Sequence, residues 1–195
     1  KSELKKVVWP SKEDTRNKLL ASSRAIAKRG GFTSTGVDAL MGSIGLSGGA
    51  FYSHFPSKQA LFEAIIDAEI SNSTDMLAGN EDSPDNHVAK CLRDYLSTFH
   101  AMNPDVGCVL PALGAEIARA GPEVRTTVER GLKRTHKSWS ERVDDPDAAW
   151  ALIAQCVGAV MLARAVESDK TRKEILSASR RFIDKAQVRE ASKKD

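Results

Sequence analysis

Apolar residues along this chain recur every three to four positions and almost never every second one, a regularity that points to packed helices. Glycine and proline supply the punctuation. Ser11, after Pro10 and followed by Asp14, is a helix-start signal. The segment to Arg29 then sets Leu19, Leu20, Ser23, Ile26 and Ala27 on one face, and Gly30-Gly31 stops it. Thr35 is placed to cap a short helix through Leu40 to about Ser43. Gly45 supplies a tight turn, and Ser47 heads a second short helix to Ser53 or His54. Pro56-Ser57 opens a longer helix to about Leu77, with Leu61, Ile65, Ala68 and Glu69 on successive turns. Beyond the polar stretch 79–86, helical patterns resume over 85–102, 108–120, 122–141, 146–167 and 171–188. Two of these open on a first-turn proline, Pro122 and Pro146. The expected fold class is all-α, with roughly nine helices and no convincing strand, repeat or low-complexity tract.

With 195 residues, 41% of them hydrophobic and 28% charged, the chain has the profile of a soluble globular protein. The net charge of +3 says little, but its placement is informative. Residues 1–58 hold ten Lys/Arg against four Asp/Glu, while the remainder is mildly acidic. A basic head on an acidic body is what a separate polyanion-binding module would show. Cys91, Cys108 and Cys156 are widely spaced and odd in number, which argues against a disulfide framework or zinc site and for a reducing, cytoplasmic compartment. The start of the chain lacks the apolar run of a signal peptide. The apolar stretch from Ala148 to Ala163 is too short for a membrane span and holds Gln155, so it reads as a buried helix. His54, His87, His100 and His136 are scattered, and no metalloprotease, dinucleotide or phosphate-loop motif occurs. No enzyme activity, metal or cofactor is expected.

Residues 35–54 pair two short helices across a glycine turn, the helix-turn-helix pattern. The string from Leu46 through Ser47, Gly48, Gly49, Ala50, Phe51, Tyr52, Ser53, His54, Phe55 and Pro56 to Lys58, with Leu61 and Phe62 behind it, carries more information. Together with Arg16, Leu19-Leu20, Gly31-Phe32, Thr35 and Val37, it resembles the DNA-binding domain of the TetR family over about residues 12–65. The C-terminal half resembles that family's ligand-binding bodies more loosely. The stretch from Gly107-Cys108 into Ala115-Glu116-Ile117-Ala118 is similar to a cysteine-containing, electrophile-responsive subset. The resemblance implies a ligand-responsive, sequence-specific transcriptional regulator, most often a repressor, released from operator DNA by a small molecule. A helical DNA-binding or interaction module without such a switch is the alternative.

The implied division is a DNA-binding domain over 1–56, with a basic arm of Lys1, Lys5, Lys6 and Lys12, and a ligand-binding and dimerisation domain over 57–195. The arm would lie near DNA or form a plain solvated tail. Gly48 and Gly49 leave the tip of the second short helix bare, so its backbone would come close to a groove. Tyr52 offers a flat face and a hydroxyl for a thymine methyl or a phosphate, His54 would donate to phosphate, and Lys58 would sit in the first turn of the next helix beside its free amides. Ser34, Thr35 and Ser47 would touch the nucleic-acid backbone, while Phe51 and Phe55 would face inward. A large aromatic is usual in the family where Ala27 stands, and a small residue where Met41 stands; the two departures would compensate in volume.

In the body, Trp150, Ile153, Val157, Val160 and Met161 form one apolar face of the 146–167 helix, and Gly158 with its flanking alanines permits close approach. With Phe182 on the last helix, they would build a homodimer interface by resemblance, or else complete the monomer core. An inducer cavity would draw on Leu96, Phe99, His100, Met102, Cys108, Leu110, Leu113, Ile117, Trp139 and Gln155, a set suited to an apolar or weakly polar molecule. Cys108, near a helix N-terminus, would be either an activated sensing thiol or a small packing residue.

Overall fold

The computed structural model describes residues 11–191, with side chains described as far as residue 184. The proposed arm residues Lys1, Lys5 and Lys6 lie outside that range, and Lys12 is the first residue of α1. Among the described residues there are nine α-helices and one 3-10 helix, with no strand. α1 (Lys12–Gly30), α2 (Val37–Gly42), the 3-10 helix (Gly48–Ser53) and α3 (Lys58–Ala78) come first. α4 (His87–Tyr95), α5 (Thr98–Met102), α6 (Leu110–Ala118), α7 (Pro122–Val143), α8 (Pro146–Ala165) and α9 (Asp169–Ala191) follow.

The helix starts follow from local chemistry. Ser11 and Asp14 form a reciprocal capping box, each side chain accepting the other's backbone N–H at 3.0 Å. Ser57 caps α3 by accepting from Ala60 N, and Asp145 caps α8 by accepting from Asp147 N and Ala148 N. Gly45 turns the chain with a φ of 76°, a value that glycine adopts without strain.

Three local expectations fail. Thr35 does not cap α2: its hydroxyl donates backwards to the Gly31 carbonyl, and Gly36 occupies the cap position. Ser47 stands at the head of the next helix without a side-chain cap, and that helix winds as 3-10. Six residues opening on two glycines gain little from α geometry. The pattern over 85–102 is two helices, because Ser97 accepts from His100 N and restarts the chain as α5.

α3 packs along α7, α7 along α8, and α8 along α9. Two apolar clusters result. One joins α1–α3 to α6 and α7 through Leu19, Leu40, Phe51, Ile65, Leu113 and Val124. The other joins α4 and α5 to α8 and α9 around Leu96, Trp139, Val160 and Leu176. The first cluster runs across residue 56, so the two proposed domains share a core. Met41 and Ala27, both buried to within 1%, lie in it together. α8 is long and apolar enough by length and composition to cross a membrane. Its Ala149, Cys156, Ala159 and Ala163 face is buried instead among its neighbours.

Candidate nucleic-acid interface and ligand cavity

The 3-10 helix is held by one face and open on the other. Phe51 and Phe55 are buried as expected, and the Arg16 guanidinium lies 4.5 Å from the Phe55 ring centre. A side chain at Gly48 would meet the carboxylate of the exposed Asp38 on α2, which would have to turn aside. A side chain at Gly49 would meet nothing within 4 Å. Beside it Tyr52 is 67% exposed, an unusual state for a tyrosine with a packed aromatic neighbour, Phe51, edge-on at 5.3 Å. Ser47 is exposed too, and His54 is half-buried with its Nδ1 unpartnered.

The neighbouring turn is pinned rather than free. Ser34 donates to the Gly30 carbonyl. Lys58 does not stand over the amides of its own helix: its Nζ donates to the Thr33 carbonyl at 2.9 Å and lies over the Phe32 ring. Glu116 of α6 completes the clamp, accepting from Phe32 N, Thr33 N and the Thr33 hydroxyl at 2.6–2.9 Å. Burial pushes its carboxyl up, but those donated bonds outweigh burial and hold it below the usual value.

Beneath this head lies a cavity of about 770 Å³ between α1, α3, α4, α5 and the loop before Cys108. Of the residues expected around an inducer, Phe99, His100 and Cys108 line it. Cys108 also faces a smaller, apolar crevice, together with Leu110 and Trp139. Leu96, Leu113 and Ile117 line neither and are core residues, Met102 is 53% exposed, and Gln155 donates to the Ser179 hydroxyl at 3.0 Å. Sequence reasoning missed the charged wall: Arg24, Lys28, Glu69 and Asp105. Lys28 Nζ sits 2.6 Å from Glu69 and donates to the Gly107 carbonyl at 3.0 Å, and Arg24 lies 2.8 Å from the same carboxylate. A carboxylate on the apolar face of α3, four residues after Ile65, was the available signal. The large cavity thus sets a charged wall into a mostly apolar lining, where a site for an apolar or weakly polar molecule was expected.

His100 has a fixed tautomer. Its Nδ1 donates to the Tyr95 carbonyl at 2.6 Å, and its Nε2 accepts from Cys108 N at 2.9 Å. Burial lowers its pKa, opposed by the bond to Tyr95 and aided by Arg164 and Lys28, so the ring stays neutral. Cys108 is not activated: burial pushes its thiol up, and contacts from Tyr95, Leu110 and Ser73 offset this only in part.

On α8, Ile153 and Val157 are half-buried and line the apolar crevice, and Val160 is fully buried. Trp150 stacks on His136 at 4.2 Å. The outward apolar residues are Trp150, Ala151, Ala154, Met161, Leu162 and Ala165, with Ala178 and Phe182 on α9.

Residues 19–65, from α1 into α3, match the sequence profile of the bacterial regulatory proteins of the tetR family. Over that segment the chain carries the tetR-family domain. Among curated TetR-type relatives, the HTH-type transcriptional repressor NemR of Escherichia coli (strain K12) is 24% identical over 127 residues. That match covers 63% of this chain and 64% of NemR, so it spans just under two thirds of the relative's length. The HTH-type transcriptional regulator UidR of the same strain is 41% identical over 54 residues, 28% of each chain. The reduced form of E. coli NemR shares the TetR fold with a TM-score of 0.69 at 22% identity, over 85% of this chain and 95% of that one. A TetR-family regulator from Agrobacterium tumefaciens does so with a TM-score of 0.72 at 18% identity, over 89% and 99%.

Proposed function

We propose that this protein is a dimeric transcriptional regulator, acting as a repressor in the bacterial cytoplasm, that binds operator DNA and releases it when a small molecule fills the large cavity. It works by binding rather than catalysis. The observation that carries this reading is the exposed tip of the 3-10 helix, where Tyr52 stands out beside the open backbone of Gly49. Such a tip fits a DNA groove, with the amides of the glycine turn facing phosphate and the ring available to a thymine methyl. The names of NemR and UidR as HTH-type regulators support it.

The outward apolar face of α8 and α9 supports a homodimer in which each protomer presents one head. Two heads would then meet half-sites separated by one helical turn (about 34–36 Å) or a longer interval. The link from cavity to head runs through Lys28, which ties α1 to both Glu69 and the Gly107 carbonyl, and through Arg29, paired with Asp105 at 2.6 Å. A ligand that binds the free and DNA-bound arrangements unequally shifts the balance between them. Tilting of α3, the helix shared by head and cavity, would carry the shift. Phe62, Ile65 and Ile66 are its buried contacts on the head side.

The test is selection of binding sites from random duplex DNA by the full chain. A two-fold symmetric consensus is the expected result. Steeply salt-dependent binding without sequence preference would point to an unswitched DNA-binding module instead.

A further inference from the structure

The hydrogen-bonding groups at the inner end of the large cavity are unevenly matched. Glu69, 5% exposed, is answered twice, by Lys28 and by Arg24. Asp105 is answered by Arg29, and at the rim Lys90 and Asp94 offset each other in sign. Behind the Gly107 wall Arg164 donates through Nε and Nη2 to the carbonyls of Ala101 and His100, while its Nη1 is buried without a partner. His100 and His87 bring no lone acceptor to this end: His100 uses both ring nitrogens, and His87 Nε2 faces the Leu77 carbonyl. At the inner end, therefore, two cations, the buried Lys28 and the partly exposed Arg24, face one carboxylate, Glu69.

Tyr95 adds a second, independent sign. It is 7% exposed, it lines the cavity, and its hydroxyl has no oxygen or nitrogen partner, only the Cys108 thiol beside it. Ser73 faces the same space. A buried hydroxyl whose partner is only a thiol, a weak acceptor, can turn to a stronger one. At the mouth stand three exposed apolar side chains, Phe99, Val106 and Met76.

We propose that this cavity takes a small organic acid, its carboxylate held at the inner end by Lys28 and the hydroxyls of Tyr95 and Ser73, and its apolar body resting on Phe99, Val106 and Met76. This rests on the regulator reading above and names the class of its ligand. A carboxylate in this position competes with Glu69 for Lys28. Because Lys28 also donates to the Gly107 carbonyl, the tie between α1 and the cavity wall loosens as the acid binds. A cationic molecule would meet repulsion from the same two cations.

Titration calorimetry on the full chain tests the assignment with benzoate, phenylacetate and hexanoate against benzamide, phenylacetamide and hexanamide at constant ionic strength. At least one acid binds, about tenfold or more tightly than its amide. Tyr95→Phe weakens that acid by about fivefold with the melting temperature unchanged. Lys28→Met removes the preference for acid over amide. Removing one partner of a buried pair can unfold a protein, so the acid-to-amide ratio and Tyr95→Phe carry the test if it does. Acids and amides binding equally, no acid binding at about 1 mM, or Tyr95→Phe binding like the parent would overturn the proposal. Release from the selected duplex is scored separately. Acid binding without release leaves the site standing and defeats the switch. Release by some other molecule, with no acid bound, does the reverse.

Discussion

Single residues decide how the head is filled and how the thiols behave. Met41 and Ala27 are buried in one cluster, and their volumes are inverted relative to the family's habit. Met41→Ala should cost about 2–5 kcal/mol in denaturant unfolding, and Ala27→Phe alone should also destabilise by overpacking. The double variant should recover part of both losses; full additivity would show that the two sites do not share space. The cysteines were legible as residues and not as chemistry. Position before α6 left Cys108 as either an activated thiol or a packing residue, and burial, which raises its thiol and outweighs the contacts that lower it, favours packing. Cys156 is pushed up to about 12 by burial, with Cys108 and Cys91 adding to the shift. At neutral pH both stay protonated. Alkylation of the native chain should therefore be slow at Cys108 and Cys156, accelerate as pH rises, and become fast on unfolding. Peptide mass spectrometry after timed iodoacetamide exposure reads this directly.

At the scale of elements, capping signals proved the readable part of the sequence. Ser11 with Asp14, Ser57 and Asp145 start helices where they stand, because each needs only atoms two or three residues away. Thr35 misled because its hydroxyl chose the Gly31 carbonyl behind it, and the break at Ser97 was hidden because apolar spacing continues across it. α8 shows the limit of periodicity. A helix apolar nearly all round does not declare which face meets which neighbour. Ile153, Val157 and Val160 thus read as an outer face, although the first two line a crevice and the third is fully buried. The 3-10 helix permits a sharper experiment. Gly48→Ala should turn the exposed Asp38 carboxylate aside at little cost in stability and change DNA binding through that displaced charge. Gly49→Ala should leave the melting temperature within about 1 °C and weaken DNA binding alone, because its methyl enters the space the groove would occupy. Equal effects at both positions would contradict the assignment of an inner and an outer glycine.

For the whole molecule, the fold class, the paired short helices and the family were all present in the sequence, since they rest on local strings such as Leu46 to Lys58. The charged cavity was not, because Lys28 and Glu69 are 41 residues apart and Lys28 and Gly107 are 79 apart. Contacts at such separations leave no periodic trace. The same holds for Glu116, which clamps Phe32 and Thr33 across more than eighty residues. The proposed dimer should depend on the outward face of α8 and α9. Leu162→Arg with Phe182→Glu should leave the helical content unchanged and convert the species seen by analytical ultracentrifugation to monomer. Operator affinity should fall with it, since each protomer would then hold only one half-site.

The central claim is that the open tip of the 3-10 helix enters DNA. Its most direct measurement is fluorescence anisotropy of the selected duplex titrated with Tyr52→Ala, at fixed salt and alongside circular dichroism. Tyr52 is exposed, so folding should be untouched while affinity drops by about tenfold or more. An unchanged binding curve for a fully folded Tyr52→Ala protein would contradict the account.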